Sequence, residues 1–235
     1  MVCDETEKTK HRRLQQDVRS SIRHARLDVN LSLGYCDEDL AVWHFYSNTM
    51  ASLSRSDHAY YLHSELPRLY TRIYKGSALC LSTQAIAHAD ASKYHGPRTR
   101  HAQKLYTQAI SAMNLALQDS KEAIADETLY AVLLLCGYET ITCGSKLLAG
   151  WTAHVSGVAA MLIYRSKQSL TRPFASKLYH FARRSIVLYH IQSCTSIAPL
   201  FSGIEGTSPP DENDEDRLFS LMAILPEIQH SLNFF

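Results

Sequence analysis

Proline and glycine are scarce in this chain, with seven Pro and nine Gly in 235 residues. That shortage argues against a loop-rich β-sandwich and for long helices. The six cysteines are Cys3, Cys36, Cys80, Cys136, Cys143 and Cys194, and no two form a Cys-x-x-Cys pair. Their scatter fits neither a zinc knuckle nor a small disulfide scaffold, and it predicts a reducing, intracellular compartment. Charge of one sign is also lacking. The formal net charge is +1, so bulk electrostatics suggest no nucleic-acid or membrane partner. No apolar run reaches the roughly 18 residues of a membrane span. The polar N-terminus has no signal-peptide core. There is no G-x-S-x-G, P-loop or G-x-G-x-x-G, and no internal repeat stands out.

What is present is apolar mass in helical register. Hydrophobic residues make up 46% and charged residues 20%, enough to bury a core. The period predicts helices over about Asp39–Ser54, Ala78–Tyr94, Thr99–Gln118, Leu129–Cys143, Trp151–Tyr164 and Ser176–Cys194. An aromatic stretch, Tyr60–Tyr74, should be ended or kinked by Pro67 and stopped by Gly76. Leu129–Cys143 is apolar almost all round, which marks a central buried helix. Asp126 is its expected N-cap, with Glu127 beside it at the positive end of the helix dipole. Gly157 inside a helix predicts close approach of a neighbour. Pro173 fits a first turn, with Thr171 as a possible cap. The fold class is therefore all-α, an irregular bundle of seven to eight helices. The chain divides into a basic arm (1–38), a helical body (39–201), an acidic loop (202–217) and a last helical segment (218–235). The final Phe234-Phe235 suggests a core cut short.

Several elements recur in a fixed order. Leu105-Tyr106-x-x-Ala109-Ile110-x-x-Met113-x-x-Ala116-Leu117 is followed by Asp126-Glu127-Thr128-Leu129, then by Val132-Leu133-Leu134-Leu135 and Tyr138-Glu139. Gly150-Trp151-x-x-His154-Val155-x-Gly157-x-x-x-Met161-Leu162 closes the series. This succession resembles the fungal-specific transcription factor domain, the regulatory region that usually follows a binuclear zinc cluster. The resemblance covers about Asp39 to Leu200. It implies a non-enzymatic transcriptional regulator in the nucleus. It also implies structural roles for Tyr106, Asp126, Glu127, Glu139, Trp151, His154 and Gly157. The chain lacks the C-x-x-C-x6-C array of the zinc cluster, so specific DNA reading is not expected of it. The expected partners are proteins of the transcription machinery or a small-molecule effector. DNA contact is indirect or non-specific, and no membrane, metal or cofactor is expected. The oligomeric state is open. The alternatives are a helical interaction scaffold unrelated to transcription and, further off, a helical enzyme acting on a diphosphate.

Individual clusters are weighed against plainer roles. His154, Glu139 and Trp151 could bind metal or move protons. With no second ligand or nucleophile, they read instead as a buried polar tie in which Glu139 accepts from Trp151 or His154. Cys136 and Cys143 are ~10 Å apart on a helix, too far for a disulfide, and read as core thiols. The acids from Asp211 to Asp216 include an Asp-x-x-Asp that could hold Mg²⁺, but they follow Pro209-Pro210 and read as a solvated loop. Lys8, Lys10, Arg12 and Arg13 open a basic stretch that could touch phosphates or direct nuclear import. Tyr60, Tyr61, Tyr70 and Tyr74 read as core in preference to a ligand cavity.

Overall fold

The computed structural model describes residues 37–53, 58–92, 99–142, 148–165, 172–197 and 212–232. Nine α-helices run through them: α1 (Asp37–Ser52), α2 (His58–Tyr70), α3 (Ala78–Ser92), α4 (Thr99–Gln118), α5 (Asp126–Thr142), α6 (Leu148–Arg165), α7 (Pro173–Ser193), α8 (Asp214–Met222) and α9 (Leu225–Leu232). No strand occurs among the described residues. The all-α expectation holds. The last apolar segment is divided just ahead of Pro226, which has no N–H to continue the ladder. The chain forms two compact units, Met1–Leu40 and Ala41–Phe235. In the first unit, the described residues are the opening turn of α1.

The second unit is built around α5. Leu129 through Cys136 are all buried, with Tyr130 and Leu135 fully so. No stripe of α5 is left polar over that run, so neighbours must cover it on several sides. α3, α4, α6 and α7 do so. α3 can come close because so many of its buried residues are small, among them Ala85, Ala87 and Ala89. A close approach lies at Gly137 of α5, where an added Cβ would stand 2.7 Å from Ile86 Cδ1. Close helix approach therefore falls at Gly137 and not at Gly157, whose absent Cβ would meet nothing within 4 Å.

Local chemistry sets the helix ends. α4 stops at a turn in which the Asp119 carboxylate accepts from the N–H groups of Lys121 (2.8 Å) and Glu122 (3.0 Å). These two bonds hold its pKa below the usual carboxylate range. A 3₁₀ turn, Glu122–Ile124, then leads into α5. Pro67 does not end α2, which runs on to Tyr70. Pro173 is in the first turn of α7 as expected, but the cap position is Arg172, with no side-chain cap bond. Thr171 lies outside the described residues. The acidic segment departs most from expectation. Asp214, Glu215 and Asp216 are the first turn of α8, not a solvated loop. Asn213 and Asp216 close a capping box, the Asp216 N–H donating to Asn213 Oδ1 (2.8 Å) and the Asn213 N–H to Asp216 Oδ2 (3.0 Å). Two orphan donors are thereby satisfied reciprocally.

Candidate functional site

The polar residues of the recurring motifs converge where α4, α5 and α6 meet. Tyr106 on α4 is 33 residues from Glu139, near the end of α5, and 48 from His154, in the first half of α6, yet the three are in contact in space. Helical period explains the convergence. Leu105 and Ala109 turn inward and place Tyr106 at the edge of the core. Tyr138 is buried one residue before Glu139, and its ring stacks on Tyr106 at 4.4 Å between centroids and 15° between planes. Trp151 and Val155 anchor α6 so that His154 faces the same spot. Its ring meets Tyr106 edge-on.

The hydrogen-bond order follows from counting protons. The Tyr106 hydroxyl donates to Glu139 Oε1, and its oxygen is 2.8 Å from His154 Nε2. A phenol has one proton, so His154 must donate through Nε2–H. The chain thus runs His154 to Tyr106 to Glu139, with His154 Nε2 itself 3.9 Å from Glu139 Oε1. Burial pushes the His154 pKa below its ordinary value, with the Glu139 charge opposing. The neutral imidazole fits the donor role. Glu139 is a buried carboxylate, as expected, but its donor is Tyr106. Trp151 instead packs edge-on against Tyr189 of α7 at 5.5 Å. The Tyr189 hydroxyl donates to Thr152 Oγ1 (3.0 Å). Nothing in the spacing of Tyr106 and Glu139 pairs them, although both belong to the recurring elements.

A second tie joins the start of α5 to the end of α6. Asp126 and Arg165 are each 5% exposed and ion-paired. Arg165 Nη1 also donates to the Ala125 carbonyl (2.8 Å), and Arg172 approaches the other Asp126 oxygen at 2.9 Å. Asp126 was expected as a plain cap; its carboxylate is the centre of a two-arginine clamp. Neither arginine belongs to a quoted motif, so the clamp was not visible in the sequence. Glu127 beside it is exposed.

The other candidates fall apart or lie elsewhere. Lys8, Lys10, Arg12, Arg13, Cys143 and Asp211 lie outside the described residues. Cys80 and Cys136 are free, buried thiols, and burial pushes Cys136 up to about 12, far from a reactive thiolate. Tyr60, Tyr61 and Tyr70 are half-buried and Tyr74 is 72% exposed, so the four tyrosines form no common core. Asp214 is exposed and 3.5 Å from Arg217. Asp216 is buried 3.4 Å from His180 Nδ1. Those two acids thus face different surroundings. No group of three or more potential metal ligands occurs among the described residues, and no helix there is long and apolar enough to cross a membrane. A shallow cleft of about 370 Å³ lies between the ends of α4 and α6, lined by Leu117, Ala123, Met161 and Tyr164 among others. The Tyr106–Glu139–His154 chain is not part of it.

Most of the chain, including these helices, is matched by a family. The model of the fungal specific transcription factor domain matches residues 42–233. This chain belongs to that family. The match spans α5 with the helices around it and continues through α8 and α9. The family is one of transcription regulators. No curated protein and no solved structure matches the chain.

Proposed function

We propose that this domain is the regulatory, non-DNA-reading part of a zinc-cluster-type fungal transcription factor. It works in the nucleus, and sequence reading on DNA is left to another module. It takes no cofactor and turns over no substrate. Its helical body receives a signal from a protein partner or a small effector and presents or withdraws a surface for the transcription machinery. A ligand shifts such a body only through different affinity for two packings.

The observation that carries this reading is the family match over residues 42–233. The polar motif residues support it. Tyr106, Glu139 and His154 bond to one another across three helices, and Asp126 is clamped by Arg165 and Arg172. In both places the charge is spent on joining helices. The basic residues Lys8, Lys10, Arg12 and Arg13 are assigned to import or to non-specific phosphate contact, which adds affinity without base choice.

Tethering tests the reading. The full chain fused to a heterologous DNA-binding domain should change reporter output by several-fold, and a fluorescent fusion should collect in the nucleus. A Glu139→Leu substitution should alter the reporter only in proportion to the amount of folded protein. A reporter indifferent to tethering, with a cytosolic fusion, rejects the proposal. So does a sharp footprint of the purified chain on a defined DNA sequence at physiological salt.

A further inference from the structure

The two short helices α8 and α9 are held to α7 by an unusual division of labour. Their inward side carries much of the charge. Asp216 is buried against His180 at 3.4 Å. Glu215 pairs with Arg184 at 2.9 Å, and the Arg184 guanidinium lies 4.5 Å from the Phe219 ring centroid. Glu227 accepts from the Ile197 N–H (2.6 Å) and from Ser196 Oγ (2.9 Å). Phe219, Met222 and Ala223 add a modest apolar contact with the core. The outward side carries the large aliphatics. Leu218, Leu221, Ile224, Leu225, Ile228 and Leu232 are 42–68% exposed. A surface helix ordinarily turns such residues toward the core and its charges toward water.

The exposed residues also have a pattern. Leu218, Leu221, Leu225, Ile228 and Leu232 follow steps of three, four, three and four, the spacing of an a/d seam that packs against another helix. The break between α8 and α9 barely interrupts it. Ala223 keeps helical dihedrals. The Ile224 N–H reaches back three residues to Leu221, a single tightened turn.

We infer that this seam is a self-association surface, and that its occupant is the same seam of a second copy of this chain. The area favours that occupant. The six side chains offer on the order of 600 Å² of exposed surface per copy, and pairing two copies removes at most about 1,200 Å² in all, which at full burial reaches the lower bound of a stable specific interface. A two-fold pairing is isologous and closes on itself. Of the carboxylates on these helices, Glu215, Asp216 and Glu227 are tied on α7 or the segment that follows it, and the exposed Asp214, at the start of α8, is 3.5 Å from Arg217. The inference is independent of the role in transcription proposed above.

Sedimentation equilibrium of the full chain from about 1 to about 200 µM tests it, with Leu221→Glu and Ile228→Glu as disrupting variants and Leu115→Glu, on a different exposed surface, as control. The chain should pass from monomer to dimer across this range. Either disrupting variant should weaken dimerisation at least ~100-fold, because two copies would each bury a charge, while Leu115→Glu leaves it unchanged. A chain that stays monomeric overturns the inference and leaves the seam to another segment or a foreign partner. A dimer indifferent to both glutamates overturns it equally. If the glutamate variants do not fold, hydrogen exchange of the unsubstituted chain decides. Amides of α8 and α9 should exchange more slowly at the high concentration, and equal rates at both concentrations overturn the inference.

Discussion

α5 and the α8–α9 pair solve the problem of holding a helix in opposite ways. α5 buries Leu129 through Cys136 in one unbroken run and leaves its polar work to its two ends, Asp126 and Glu139. The α8–α9 pair directs much of its charge inward and exposes its aliphatic seam. The hydrophobic effect is proportional to apolar area removed from water, so it secures α5 heavily and α8–α9 lightly. An ionic contact with a partly exposed partner, such as Glu215 on the buried Arg184, contributes less than a fully buried pair. The lesson is that one domain can hold a fixed centre and a weakly held margin side by side.

The largest expected effect separates the two regions directly. Leu135→Ala should cost about 2–5 kcal/mol in urea unfolding, by lost burial and a residual cavity. Leu221→Ala in dilute protein should stay within about 0.5 kcal/mol, as a surface change does. Comparable losses would show that the seam is already covered in the monomer.

The second effect compares ion pairs. Asp126→Ala leaves Arg165 buried without its carboxylate and should cost about 3 kcal/mol. Glu215→Ala should cost under about 1 kcal/mol. Chemical denaturation of both variants reads the difference, and a harmless Asp126→Ala would remove the clamp from the list of what holds α5.

The third effect is smaller and reverses sign between two glycines. Gly137→Ala forces the new methyl into Ile86 Cδ1 at 2.7 Å. It should destabilise by about 1 kcal/mol once the helix-propensity gain is set against overpacking. Gly157→Ala enters open space and should stabilise by roughly 0.5–1 kcal/mol. Thermal melts of the pair check both signs.

The smallest effect is in pH. Burial lowers the His154 pKa from its ordinary 6.5, so the unfolded chain takes up this proton first. Its contribution is therefore full above 6.5 and is lost as pH falls from 6.5 toward the depressed folded value. His190, also lowered by burial, acts in the same direction. His154→Gln should make the melting temperature fall less between pH 7.5 and 5.5 than in the unsubstituted chain. An identical fall in both would mean that His154 is not buried in neutral form.

Much of the centre was legible from periodicity alone. Thr99–Gln118 matches α4 at both ends, and the all-apolar run at Leu129 marks α5 as the hub. Local pattern failed where the deciding partner is distant in sequence. Glu139 waited on Tyr106, 33 residues away, and Asp126 on Arg165, 39 away. Gly157 misled because an absent side chain states no reason for its absence; the crowding was at Gly137, unremarked in a run of larger residues. The acids before Leu218 read as loop because their neutralising groups, His180 and Arg184, lie on another helix.

The single phenol oxygen set between α5 and α6, giving its proton to Glu139 and accepting from His154, gives the bundle a means of checking its own alignment. Aliphatic surfaces tolerate a slipped neighbour, since one leucine covers another almost as well. A slip of one residue along α4 moves Tyr106 by ~1.5 Å and around the helix by ~100°, and takes its hydroxyl away from the Glu139 carboxylate in a dry place. Near-miss assemblies are thereby penalised by a group that adds little to the correct one, so the arrangement selects a unique packing more than it strengthens it.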